Sequence, residues 1–187
     1  TKVDYAALNA PQVLPGKYNI EITLNGKVYN TPFNVIHDAG NKDLNEAQRK
    51  HLYDQNMRLY RAHEQLAGVV EGVAAKQQVL KTAMDKLKNA KTKKLAETYW
   101  NKLEEFRSTL LATKQTSVFA DEKKLREEIS EIYLVLIGQE VAISNLQQQN
   151  VDNVVNKVNE AAKQQAALLA ETDAKLKAAL AKEQIQL

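Results

Sequence analysis

Hydrophobic and polar positions follow two different rhythms along this chain. Between residues 16 and 36 they alternate: Tyr18, Ile20, Ile22 and Leu24 are separated by single polar residues, the period of a half-buried strand. Asn25-Gly26 follows, and both central positions of a tight hairpin turn favour such residues because they need positive φ. A two-residue loop pairs Leu24 with Lys27, Ile22 with Tyr29, Ile20 with Thr31 and Tyr18 with Phe33, which gathers one apolar face. Pro32 cannot donate to a ladder, so the second strand is expected at an edge. The lead-in, residues 1–14, has scattered apolar residues (Tyr5, Leu8, Val13, Leu14) and reads as irregular or as one edge strand.

From residue 44 the period lengthens. Leu52, Leu59, Leu66, Val73, Leu80 and Leu87 stand seven apart with no intervening proline. Such a repeat forms one narrow stripe on a helix that must be buried against another. A first helix is expected over 44–91, with Asp43 as N-cap and Glu46 completing a capping box. Beside its stripe lie Asn56, His63, Val70, Gln77 and Met84. Gly68 and Gly72, four apart, point to a close helix approach or a slight bend.

Three more helices follow. Residues 93–113 present Leu95, Tyr99, Leu103, Phe106 and Leu110, flanked by Trp100. Thr113 to Ala120 reads as a loop. Asp121 can cap a helix over 121–137, with Leu125, Ile129, Ile132 and Leu136 widened by Tyr133 and Ile137; Gly138 ends it. Ser144 can cap a fourth helix over 145–182, whose stripe runs Val151, Val155, Val158, Ala162, Gln165, Leu169, Thr172, Leu176 and Ala179.

The expected fold is mainly α. Residues 1–38 form a β-hairpin segment, the edge of an incomplete β-sandwich, and residues 43–187 a helical bundle. If every short connection reverses the chain, the bundle is up-down-up-down with four helices. Its two long helices then extend past the short ones as an antiparallel coiled coil. The lower half of the first helix would be thinly covered, making Tyr53, Asn56, Tyr60 and His63 a candidate docking surface.

Composition narrows the chemistry. The 187 residues carry 26 basic and 23 acidic side chains, net +3, interleaved along the chain. This gives little reason to expect nucleic acid as a partner. The lysines at 86, 88, 91, 93 and 94 read as favourable charges at a helix end. The absence of cysteine excludes disulfides and thiol chemistry. The longest apolar run, Ile132 to Ile137, is far below the ~20 residues of a membrane span, so no membrane insertion is expected. The three histidines, His37, His51 and His63, have no glutamate three residues before them, so the di-iron pattern of helical bundles is missing. No phosphate loop, dinucleotide turn or nucleophile elbow appears. No catalytic residue, metal ligand or cofactor site is expected. A ligand-binding bundle would need a pocket lined by Tyr99, Trp100 and Tyr133.

The stretch "LPGKYNIEITLNGKVYNTPFNVIHDAGNKDLNEAQRKHLYDQNMRLY" (14–60) resembles one found in large bacterial secreted proteins of the sortilin-like, Asp-box (BNR) β-propeller family, often labelled glycosyl hydrolase. The matching residues are Pro15, Gly16, Tyr18, Ile20, Gly26, Tyr29, Pro32, Phe33 and Val35. Where the family continues Met-Asp-Pro-Arg, this chain has His37-Asp38-Ala39-Gly40. The resemblance implies an exported fragment (periplasmic, outer-membrane-associated or secreted) following a propeller. It implies a non-catalytic structural or interaction role, with the upstream domains as partners and no catalytic residue carried over. A chain that begins at Thr1 fits that expectation. The alternative is a free-standing coiled-coil interaction or adhesin-like domain that self-associates through its first helix.

Overall fold

The computed structural model describes residues 9–38, 40, 43–112 and 122–182. The order is β1 (Gly16–Leu24), β2 (Lys27–Val35), α1 (Glu46–Lys86), α2 (Ala90–Leu110), α3 (Leu125–Ile137) and α4 (Asn145–Ala181). The protein is mainly α, a helical bundle with an N-terminal hairpin. Tyr5, Leu8, the Thr113–Ala120 loop and Asp121 lie outside the described residues.

The hairpin register is the one the alternation dictates. Leu24 pairs with Lys27, Ile22 with Tyr29, Ile20 with Thr31 and Tyr18 with Phe33. Asn25 and Gly26 both take positive φ, 48° and 77°, as a type I′ turn requires.

Helix boundaries follow their caps. Leu44 turns into the core, so α1 starts just after it. Its N-cap is Asn45, not Asp43. Asn45 Oδ1 accepts from the Gln48 N–H and Gln48 Oε1 accepts from the Asn45 N–H, both at 2.9 Å. The same reciprocal box, Ser144 with Gln147, opens α4. Asn89, between Lys88 and Lys91, caps α2 through the N–H groups of Lys91 and Thr92. Lys124 begins α3 without a side-chain cap.

The arrangement of the rods differs from up-down-up-down. Gln148 pairs with Gln55, Asp152 with Arg58, Gln165 with Val69 and Asp173 with Lys76. Both members of each pair climb together, so α1 and α4 run parallel, not as an antiparallel coiled coil. The descending stroke is shared. Leu136 of α3 meets Asn56 and Tyr133 meets His63, while Glu104 of α2 meets Gln77. Thus α2 and α3 follow one another along the same groove, both antiparallel to α1. The molecule is three rods thick at both levels, with a broken middle rod.

Length explains this. At ~1.5 Å per residue, the 41 residues of α1 span roughly 62 Å. The 21 residues of α2 and 13 of α3 cover about 32 and 20 Å. Placed end to end they cover nearly the whole apolar face of α1; folded back on each other they would leave half of it in water. Burial at roughly 25 cal/mol per Å² favours the first solution.

Two cores result. The lower joins Leu52, Leu59, Leu66 and Val69 to Ile129, Tyr133 and Leu136 of α3 and to Val151, Val154 and Val158 of α4. The upper joins Val73, Leu80 and Leu87 to Ala96, Tyr99 and Leu103 of α2 and to Leu176 and Leu180 of α4. Phe106 packs against both. All six members of the heptad row are buried. Because α1 touches two neighbours at every level, its buried face is wider than one stripe. One flank (Gln55, Val69, Lys76) faces α4 and the other (Asn56, His63, Gln77) faces α3 and α2. On α4 the buried positions include Val154, Ala161 and Leu180 as well as Val151, Val158, Thr172 and Leu176.

Candidate interaction site

Tyr53, Asn56, Tyr60 and His63 do not make one open surface. Asn56 is buried and its Nδ2 donates to Leu136 O at 3.3 Å. That carbonyl belongs to the last turn of α3, where backbone acceptors lack intrahelical partners, so Asn56 acts as a remote C-terminal cap. His63 packs on Tyr133 with ring centroids 5.8 Å apart, and Tyr60 packs against the lower core. Tyr53 and one side of the buried Asn56 reach an opening. They line a cleft of about 330 Å³ at the base of α1, with Pro11, Leu14, Val35, His37 and Leu52. The seam polarity seen in the sequence belongs to the α1–α3 contact.

Tyr99 and Tyr133 lie in different cores, so no pocket joins them with Trp100. Their hydroxyls serve as ties. Tyr133 OH donates to Asn9 O, holding the lead-in against α3. Burial first, and the neighbouring Tyr60 second, push its pKa up to about 12. Tyr99 OH and Lys102 Nζ both donate to Glu171 Oε1, at 3.0 and 3.1 Å, linking α2 to α4. Lys102 and then Tyr99 hold the Glu171 carboxyl below its usual range. Arg107 does the same to Glu104, helped by Gln77, and Arg58 to Asp152. A general acid at neutral pH needs the opposite shift. Among the described residues, no group of three or more His, Asp or Glu is placed to hold a metal ion. Among the described residues, no helix is long and apolar enough to cross a membrane.

The hairpin is the exception to this closure. Its apolar face, formed by Tyr18, Ile20, Ile22, Leu24, Tyr29 and Phe33, lies largely open. Ile22 is 55% exposed, Leu24 59% and Tyr29 53%. Tyr18 and Phe33 stack on one another at 5.8 Å, and Tyr18 OH donates to Leu14 O at 2.6 Å, fixing the root of β1 to the lead-in. The strands pair with each other, while the extensive packing elsewhere is among the helices. A two-stranded ribbon with one apolar face is marginal in water. Several large apolar side chains exposed side by side mark a binding surface more often than isolated ones do. The alternation revealed the face in the sequence. That none of the described helices packs over it is a tertiary fact.

Comparison with protein-family models, with curated proteins and with solved structures returns no match to this chain.

Proposed function

We propose that this chain is an interaction module that works by docking, its helical rod holding out an incomplete sheet for other strands to complete. The observation that carries the reading is the hairpin of Gly16–Val35, with an apolar face in water and two outer edges that pair with no other strand among the described residues. The rod fits the role. Its apolar rows are consumed internally at both levels, so it offers length and rigidity. The downward-shifted carboxylates Glu104, Asp152 and Glu171 support structural pairing over acid catalysis.

The resemblance of residues 14–60 to the segment after an Asp-box propeller supports an exported, larger protein as the source of the missing strands. Self-association through α1 has less support, because α2, α3 and α4 already occupy its apolar rows.

Hydrogen exchange tests the docking role. The amides of Lys17, Asn19, Glu21 and Thr23 should exchange quickly in the dilute 187-residue chain. They should be protected at least tenfold in the protein isolated at its natural length from its source. Equal exchange in both would overturn the reading.

A further inference from the structure

Asn19 faces Pro32 across the ladder, and this pair distinguishes the two edges of the hairpin. In an antiparallel ribbon, hydrogen-bonded and non-hydrogen-bonded pairs alternate. A two-residue turn makes Leu24 and Lys27 a bonded pair, and the register carries the pattern to Ile22–Tyr29, Ile20–Thr31 and Tyr18–Phe33. The intervening residues turn their backbone groups outward. On β2 these include Pro32, which has no N–H and breaks the row of donors. On β1 they are Lys17, Asn19, Glu21 and Thr23, and every donor is present. The outer edge of β1 is therefore the uninterrupted template for another strand.

The side chains along that edge carry a self-complementary pattern. Lys17 and Glu21 lie on one face, two positions either side of Asn19. We propose that β1 accepts the β1 of a second copy of this chain, antiparallel and centred on Asn19, to form a four-stranded sheet. The proposal rests on the docking role above and names its occupant.

In this register Lys17 faces Glu21 of the second copy, and by symmetry the pair occurs twice. Opposite charges directly across an antiparallel pair are favourable. On the other face Tyr18 comes opposite Ile20 of the second copy, an aromatic against a β-branched side chain, which is also favourable. A centre two residues further along, at Glu21, would instead set carboxylate against carboxylate. The contact is isologous and closes at two chains. It turns a marginal two-stranded ribbon into a sheet of four and makes the two apolar faces continuous.

Sedimentation equilibrium of the 187-residue chain tests this. The 21.0 kDa chain should shift reversibly to twice that mass as concentration rises. Lys17→Glu and Glu21→Lys should each raise the dissociation constant about tenfold, since each reverses one member of both charge pairs. An equimolar mixture of the two variants should restore association, because one chain then carries two carboxylates and the other two ammonium groups at the facing positions. Asn19→Pro removes an outward N–H without touching a β1–β2 hydrogen bond, and should abolish the dimer. Circular dichroism should show all three variants folded. A monomer at every concentration overturns the proposal. So does a dimer indifferent to all three changes, or a mixture no tighter than its components. A monomer whose hairpin is protected only at natural length overturns the second-copy occupant and leaves the docking role standing.

Discussion

The side-chain amide of Gln165 crosses to α1 beside Gly72 and donates to Val69 O at 2.6 Å. It reaches the backbone because Gly72 has no Cβ; a methyl group there would collide with the amide nitrogen. Gly68, one turn earlier, has open space where its Cβ would be. The two glycines therefore predict different outcomes. Gly68→Ala should stabilise the protein by about 1 kcal/mol, the ordinary gain inside a helix. Gly72→Ala has the same gain but displaces Gln165, losing a hydrogen bond of about 0.5–1.5 kcal/mol, so its net change should lie near zero. In a Gln165→Ala background the difference between the two sites should vanish. Urea midpoints of the single and double variants check this; equal stabilisation by both substitutions in the parent chain would contradict it.

Asn56 makes its one cross-helix bond to a carbonyl that also accepts from the Gln139 N–H at 3.1 Å. Its Oδ1 is buried with no hydrogen-bond partner among the described residues. An unmatched buried acceptor costs about 1–3 kcal/mol. Replacing Asn56 by Leu removes that cost, leaves Leu136 O with a donor and adds apolar volume next to Leu52 and Leu59. The variant should be as stable as the parent or up to ~1 kcal/mol more stable in chemical unfolding. A loss above ~2 kcal/mol would mean that the amide is needed to hold the α1–α3 register.

Tyr133 gives the protein an alkaline limit. Burial and Tyr60 raise its pKa from 10.0 to about 12 in the folded chain. The unfolded chain thus loses this proton first. The contribution is fully present below pH 10 and is lost as the pH rises from there towards the folded value. Tyr133→Phe should be less stable at neutral pH by about 1 kcal/mol, through the lost bond to Asn9 O. It should show a smaller decline in melting temperature between pH 9 and pH 11.5. Parallel decline in both proteins would show that Tyr133 ionises with the same ease folded and unfolded.

The sequence carried some of this plainly. Leu59, Leu80 and Val73 were legible as core because a seven-residue repeat on a helix has only one face to bury. Ser144 was legible as a cap; that Gln147, three residues on, closes the box with it is shown by the structure. Asn45 was missed in favour of Asp43 because both are good caps, and only the burial of Leu44 decides between them. Asn56 and His63 looked like a thinly covered seam because nothing local reveals that α3 will lie on them. The direction of α3 followed from a rule about short connections. The rule fails between α2 and α3, which both run antiparallel to α1.

Local patterns thus determined the hairpin, its register, its turn and the four helices, because strand alternation, heptads and caps are written over spans of a few residues. The tertiary structure decided that α2 and α3 share one groove, that α1 and α4 run parallel, and that Gly72 makes room for Gln165. It also decided that the apolar side of β1 and β2 faces water. These depend on how rods of unequal length best cover one another's apolar surface, a property of the assembled chain and of no single segment.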